Sequence, residues 1–552
     1  RSIQIYGEPR LAFLVGSGNI DSMVNNYTAS KRPRRTDEYS PGGKSGFRPD
    51  RALSVYVDMV KKSYPNTPVV IGGIEASLRR FAHYDYWSDI IMPSILVDTQ
   101  ADMLLYGMSE TQIKTLAHGL AKGWPIHKIK DIPGTCYMSR SLPKGNKYTL
   151  ISSFEEVSTE KIKFAEAFQI QSREQNPFIG STLVQKHGDL YLVQLPPAKP
   201  LSQSEMDELY RLPFTRTYHP RYKNAGGVPA LQEVEFSVTD HRGCFGGCSF
   251  CAISFHQGRI IQNRSETSVL DEIRLMTHQP GFKGYIHDIG GPTANFRNVA
   301  CKKQLTSGAC KEKQCLDPIM CPSLEIDHSA YLSILRKARK IDRVKKVFIR
   351  SGIRFDYLMA DRNTPFLEEL CKFHVSGQLK VAPEHVSPNA LKYMGKPNRK
   401  VYDDFVDKYK KTNEKLGKKQ YLVPYFISSH PGCTLKDAIM LAEYTRDMGY
   451  NPEQVQDFIP TPGSLSTAMY HSEIDPRTLK PVYVAKTPKE KSLQRALLQY
   501  RNPRNYELVY EALKMSGRED LIGHGPKALI RPKTNSVKKP HFGMKNRNKK
   551  NK

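Results

Sequence analysis

The sequence predicts an α/β protein in which a partial barrel of six strand–helix units follows a smaller domain of alternating strands and helices. Three observations lead there. From Glu233 onward, six short apolar runs alternate with amphipathic helical segments. The first 140 residues alternate in the same way, less regularly. A proline-rich stretch with an acidic helical segment lies between the two, and such repetition of strand and helix is the pattern of parallel sheets and barrels. At 552 residues the chain exceeds one ordinary core, so two or three domains are expected.

Residues 1–140 form the expected N-terminal domain. The strand-like "RLAFLVGSG" is followed by a helical period through Val55, Val57, Met59 and Val60, a turn at "YPNTP", the apolar run Val69 to Ser77, then "DIIMPSILVD" and "ADMLLYG". Short buried strands between helices predict a parallel sheet. Gly72-Gly73 after a strand reads as a tight strand-to-helix turn ahead of a backbone approach to a phosphate or large cofactor. The chain opens on Arg1, not Met, so this domain is expected to be truncated.

Residues 141–230, with "SSFEEVSTEKIKFAEAFQIQ" and "LVQLPPAKPLSQSEMDELYRLPFTR", read as a connector. Residues 231–465 supply the six strands, namely "VEFSVT", "GYIHDI", "KKVFIR", "QLKVA", "YLVPYFI" and "QVQDFI". Between them, "SVLDEIRLM" places Val269, Ile273 and Met276 on one face, with Ser265 as N-cap. A cysteine-rich insertion occupies 296–326, a C-terminal extension 466–525, and a basic tail, expected to be disordered, 526–552.

In a parallel barrel the strands' C-terminal ends converge on one mouth. There the sequence carries Cys244, Cys248 and Cys251, then Gly290-Gly291-Pro292, Ser351 and Arg354, Glu384-His385, Ser428, Ser429 and His430, and Pro460-Thr461-Pro462. The unusual residues are expected around one cavity.

Ten cysteines spread over a long chain suit metal or redox chemistry in a reducing compartment, not a disulfide framework. No apolar run approaches the length of a membrane span and no leader pattern is present, so a cytoplasmic protein without a membrane partner is expected. Eighty-three Lys and Arg against 55 Asp and Glu give a net charge of +28, a field that attracts polyanions such as RNA. Much of that excess sits in the tail.

"HRGCFGGCSFCAI" spaces three cysteines as C-x3-C-x2-C directly after the first strand of the second domain. Soft thiolates at this density select zinc or iron–sulfur clusters. Structural zinc sites are closed, four-ligand and usually built from distant paired halves, so the trio suits zinc only with His241 or His256 as fourth ligand. A [4Fe-4S] cube held by three thiolates keeps one iron open to a small molecule. Gly243, Gly246 and Gly247 let the loop adopt dihedrals other residues resist.

With Phe250 before the third cysteine and "DIGGP" downstream, the sequence resembles the radical S-adenosylmethionine (SAM) superfamily. "GGPTAN", "VAPEHVSPNALKYMGKP" and "YFISSHPGCT" are similar to its YgiQ family over nearly the whole chain. The resemblance implies a [4Fe-4S] cluster on Cys244, Cys248 and Cys251, with SAM on the open iron and cleaved to a 5'-deoxyadenosyl radical. It also implies SAM contacts from Phe250, Gly290, Gly291, Ser351 and Arg354, and an external electron donor such as flavodoxin or ferredoxin. Arg354 has a fork suited to a carboxylate; a surface ion pair is its alternative, and a helix cap that of Ser351. The leading domain resembles cobalamin-binding Rossmann modules, yet no Asp-x-His-x-x-Gly motif is present to ligate cobalt.

Cys301, Cys310, Cys315 and Cys321 in the insertion suit an auxiliary [4Fe-4S] cluster or a zinc site. Glu384 and His385 are candidates for proton transfer at a substrate, with His430 near them. The leading functional reading is a radical SAM enzyme of unknown substrate, RNA being one candidate. The alternatives are a zinc-stabilised nucleic-acid-binding protein and a cluster-bearing electron carrier.

Overall fold

Phe13–Val15 (β1), Val69–Ile71 (β2) and Met103–Leu105 (β3) pair in parallel because helices, not turns, separate them in the chain. The second and third are buried at every residue, as strands covered on both faces must be. The structure, a computed structural model, describes residues 2–145, 147–449, 452 and 455–533. Gly72 precedes the short helix Gly73–Leu78 (α1), so the Gly-Gly pair is the strand-to-helix turn expected, and Gly73 takes φ +82° within it.

The sheet does not end at residue 140. Thr135–Ser139 (β4), Tyr148–Ile151 (β5), Thr182–His187 (β6) and Leu190–Gln194 (β7) extend it to seven strands in the order β1-β2-β3-β4-β7-β6-β5. The stretch expected to be a connector therefore supplies three strands. The sheet is also mixed instead of parallel: β4 runs antiparallel to β3 and β7, and β6 to β7. Only Gly188 and Asp189 separate β6 from β7, and a two-residue link permits only an antiparallel pair. The acidic segment folds as two helices, Phe154–Thr159 and Lys161–Arg173, the first begun by a Ser153/Glu156 capping box.

All six strands expected after Glu233 occur where the apolar runs lie. They are Ser237–Thr239 (β8), Tyr285–Ile286 (β9) with its continuation Asp288–Gly290 (β10), Lys346–Val347 (β11), Gln378–Glu384 (β12), Tyr421–Ser428 (β13) and Gln456–Asp457 (β14). Every pairing is parallel and joins neighbours in chain order: β8 with β10, β9 with β11, β12 with β13, and β13 with β14, while Ile353 bridges to Val381. The strands' C-terminal ends thus lie on one side.

Helices cover the outside of this arc. Glu266–Thr277 begins with the Ser265 hydroxyl accepting from the Ser268 N–H, and Val269, Ile273 and Met276 are buried as the period requires. Ser329–Ala338 buries Leu332 and Leu335 in the same core, which Phe405 of Arg399–Lys415 also enters. Beyond the arc, Pro488–Leu498 and Tyr506–Met515 pack against Leu435–Asp447 through Leu497, Val509 and Ile439. Leu529 and Ile530 are buried in that cluster, so residues 526–533, expected to begin a disordered tail, are held by apolar contact; 534–552 lie outside the described residues. Among the described residues no helix is long and apolar enough to cross a membrane.

Leu335 is fully buried between helix and arc. Leu335→Ala should cost roughly 2–5 kcal/mol through lost transfer energy and the cavity left behind, read as a fall in melting temperature; an unchanged melt would show that the core does not close there.

Candidate metal centre

β8 delivers the chain into a turn held from beneath by a buried ion pair. Asp240, with no exposed surface, pairs with Arg297 and its N–H donates to the Gly290 carbonyl at 2.7 Å. Gly243 then takes φ +83°, where a Cβ would fall 2.2 Å from the Ile260 carbonyl oxygen, and Gly247 takes φ +68°. Both positions need glycine. Between them Phe245 stacks on Phe296 at 3.8 Å and meets Tyr357 edge-on, giving the cysteine loop an apolar floor. The loop is pinned on its far side where the Ser249 N–H donates to the Met394 carbonyl at 2.9 Å and the Ser466 N–H to the Ser249 carbonyl at 2.9 Å.

Three half-buried thiols stand on this loop, surrounded by donors. The Gly246 N–H lies 3.4 Å from Cys244 Sγ and the Thr293 hydroxyl 3.5 Å from it. Arg354 donates from Nη1 to Cys248 Sγ at 3.3 Å and to the Gly246 carbonyl at 3.2 Å. Its Nε is anchored on Asp356 at 2.7 Å, and its backbone exchanges hydrogen bonds with the Asn295 amide. Burial opposes the charge on Arg354, but Asp356 and the neighbouring thiols outweigh it and hold its pKa above the ordinary value. Arg354 Nη2 and Asp356 Oδ2 are buried without a partner.

Burial raises the thiol of Cys244 and pushes that of Cys251 up to about 12. Thiols so desolvated become thiolates only against strong positive charge, which a metal centre supplies. Among the described residues no three His, Cys, Asp or Glu side chains crowd one point as ligands of a single ion would. In a cube each thiolate meets a different iron. Thiols facing N–H donors, an orphaned guanidinium N–H and a glycine-built turn fit an anionic iron–sulfur group.

The other expected residues divide. Gly290 closes directly on Ser351, where a Cβ would lie 2.7 Å from the hydroxyl, and a Cβ at Gly291 would lie 2.6 Å from His241 Nε2. The Ser351 hydroxyl is bonded to Asp288, whose other oxygen accepts the Arg350 N–H at 2.8 Å; it caps no helix, and Arg354 is no surface pair. His241 meets Asp240 at 3.3 Å and the Thr293 carbonyl at 3.0 Å. Phe250 meets the His430 ring edge-on at 6.0 Å, while the His430 nitrogens engage Ser466 and the Pro431 carbonyl. His385 accepts from the Ser387 N–H at 3.0 Å and lies 3.5 Å from Cys433 Sγ, and burial lowers its pKa to about 4.

Glu384 differs from these histidines. It is buried at φ +66°, a conformation side chains rarely adopt, and burial raises its carboxyl against the pull of Lys396 and Arg354. Such strain collects at functional positions. Lys396, which sequence reasoning passed over, donates to the Ala382 carbonyl at 2.9 Å, lies 3.5 Å from Glu384 and stands over the Phe250 ring at 5.7 Å. Asp356 and Asn295 were missed too. "RFDY" and "GGPTAN" contain them, but nothing in their spacing marks them as supports of Arg354. Ser429, at φ +59°, buries a hydroxyl without a partner.

Comparison with known proteins adds family context. Residues 1–237 match the family model described as Radical SAM N-terminal, and residues 453–551 match a domain of unknown function, DUF3362. A UPF0313 protein of Clostridium botulinum (strain 657 / Type Ba4) is 60% identical over 524 residues, covering 95% of this chain and 82% of the relative. A UPF0313 protein of Clostridium perfringens (strain 13 / Type A) is 56% identical over 549 residues, covering 98% and 83%. Among solved structures, TsrM from Kitasatospora setae, a radical S-adenosylmethionine methyltransferase with cobalamin and a [4Fe-4S] cluster bound, aligns with a TM-score of 0.45 at 11% identity, covering 92% of this chain and 89% of that one.

The turn at Gly395 checks the placement of the loop. It takes φ +66°, and a Cβ there would lie 2.8 Å from the Gly247 carbonyl oxygen. Gly395→Val should displace the cysteine loop and lower the iron retained after anaerobic reconstitution several-fold with little change in circular dichroism; full iron loading would show that the contact does not set the loop.

Proposed function

Because the chain belongs to the UPF0313 family of YgiQ-like radical SAM proteins, we propose that it is an enzyme that holds a [4Fe-4S] cluster on Cys244, Cys248 and Cys251 and cleaves SAM. The observation that carries the reading is the three-thiol loop with Arg354 donating to Cys248 Sγ while its Nη2 stays buried and unpartnered. In this reading the parallel strands form a partial (β/α)6 barrel, and the leading sheet is a Rossmann-like cover. When bound, the cluster and SAM together supply a 5'-deoxyadenosyl radical for hydrogen abstraction from the substrate.

The chain's own residues then have separable tasks. Arg354 holds fixed positive charge at the loop, with Nη2 free to pair with an anionic group such as a carboxylate. Phe245, Phe296 and Tyr357 keep water from the thiols. Gly290 and Gly291, lacking side chains, let the backbone close on Ser351 and His241, where a Cβ would fall 2.7 and 2.6 Å from their side chains. Glu384, buried beside Lys396, is the group placed to hold or release a proton near the loop. An external electron donor such as flavodoxin or ferredoxin would reduce the cluster.

Reconstituted protein given SAM and a strong reductant should yield methionine and 5'-deoxyadenosine, and Cys248→Ala should abolish both products; cleavage persisting in that variant would refute the ligand assignment. RNA as substrate class is supported by the net charge of +28. RNA should then co-purify and be lost steeply as salt rises, whereas salt-independent behaviour would remove RNA from consideration.

A further inference from the structure

The insertion of residues 296–326 contains, among its described residues, one four-residue helix, Gln304–Ser307, and little apolar burial beyond Phe296, Ala300, Ala309 and Leu316. A stretch this long needs another source of order. Part comes from hydrogen bonds at its base, where the Glu325 N–H donates to the Ala300 carbonyl at 2.8 Å, and from Asn176, whose amide donates to the Ser307 and Ala309 carbonyls at 2.9 and 2.8 Å. These contacts fix the segments that carry its thiols, of which Cys310 is exposed and the other three half-buried. Cys301 follows the closed base, and Cys321 faces Cys315 across a turn in which its N–H donates to the Cys315 carbonyl at 2.9 Å. Arg259 draws in the remaining stretch, donating to the Cys310 and Lys313 carbonyls at 2.8 and 2.9 Å.

The surroundings parallel those of the first loop. There Arg354 has a buried, unpartnered Nη2; here Arg259 has a buried, unpartnered Nε while its Nη1 donates to the Cys310 carbonyl at 2.8 Å. Cys244 and Cys315 pack on the same apolar cluster around Phe245 and Phe296. Lys302, Lys303 and Lys313 add positive charge that favours an anionic four-thiolate group, while Lys311 is paired with Glu174 at 2.7 Å. The thiols are separated by eight, four and five residues, without the C-x2-C knuckles of zinc ribbons, and an all-thiolate set suits an iron–sulfur cluster as well as zinc; the resemblance to the first loop's surroundings favours the cluster. As at the first loop, they do not crowd one point.

We infer that Cys301, Cys310, Cys315 and Cys321 bind a second iron–sulfur cluster, all four corners closed by protein thiolates, next to the three-cysteine loop. It would staple the insertion over that loop, where a Cβ at Gly247 would already lie 2.7 Å from Gln314 Oε1.

The full chain, reconstituted without oxygen from ferrous iron and sulfide, should hold about eight iron and about eight sulfide per molecule, as two four-iron cubes require. The triple variant Cys244→Ala, Cys248→Ala, Cys251→Ala should keep about four iron and, once reduced, the paramagnetic resonance spectrum of a [4Fe-4S] cluster. The quadruple variant Cys301→Ala, Cys310→Ala, Cys315→Ala, Cys321→Ala should also keep about four. An iron-free triple variant beside a wild type holding about four would overturn the inference while leaving the proposed function standing, as would zinc in place of iron in the triple variant. An iron-free quadruple variant of native circular dichroism, beside a triple variant that keeps its iron, would instead remove the cluster from the first loop. Should the quadruple variant fail to fold, the triple variant alone decides.

Discussion

The guanidinium of Arg354 is the contact through which the arc of strands and the cysteine loop become one site. Buried beside Asp356, on a residue whose backbone Asn295 clasps, it reaches the Gly246 carbonyl and Cys248 Sγ. A buried charge persists only when paired and hydrogen-bonded, and removing one partner of such a pair costs more than the pair contributes. The position of Arg354 is therefore fixed by its own need for partners. Asn295 lies just past the Gly-Gly-Pro turn and Arg354 past the next strand, so two strand ends are locked to the loop by one residue.

A second buried guanidinium links the leading domain to the same loop. Arg80 has no exposed surface; it donates to Gln194 at 2.6 Å and Gln175 at 3.0 Å and stacks 3.7 Å from the ring of Phe255, in the short helix that follows the cysteines. Burial lowers its pKa to about 10, and amides and aromatic faces, not a carboxylate, support it. Together with the insertion, which approaches from the side of Gln314, this encloses thiols that would otherwise meet solvent. Enclosure raises the thiols of Cys244 and Cys251, so they stay protonated unless a positive centre or a donor such as Arg354 offsets the cost of the thiolate.

Much of this was legible in the chain itself. The six apolar runs became six strands because short buried strands between amphipathic helices have few alternatives, and Ser265 caps its helix because a hydroxyl before a helical period satisfies an otherwise unpaired N–H. Of the three loop glycines, Gly243 and Gly247 adopt the positive φ expected of them, whereas Gly246 does not. The sheet of the leading domain was read less well. Its last three strands lie in a stretch whose prolines and acidic helices resemble a linker, and apart from the β6–β7 hairpin their pairing is long-range, which local pattern does not encode. Leu529 and Ile530 were masked by the basic residues around them, although two apolar side chains suffice to dock a chain end in a groove.

By itself the sequence determined the chemistry on offer: three thiols at fixed spacing, an aromatic beside the third, and glycines where the backbone must turn. Spacing along a chain fixes which groups share one loop. Only tertiary structure decided which groups from other loops face them. It placed Arg354 and Lys396 inward, tied His241, His385 and His430 to internal partners, and set Glu384 in a strained conformation beside Lys396. Which partner a buried polar group finds depends on strands far apart in sequence meeting at one side of a sheet, and that meeting is a property of the packed core.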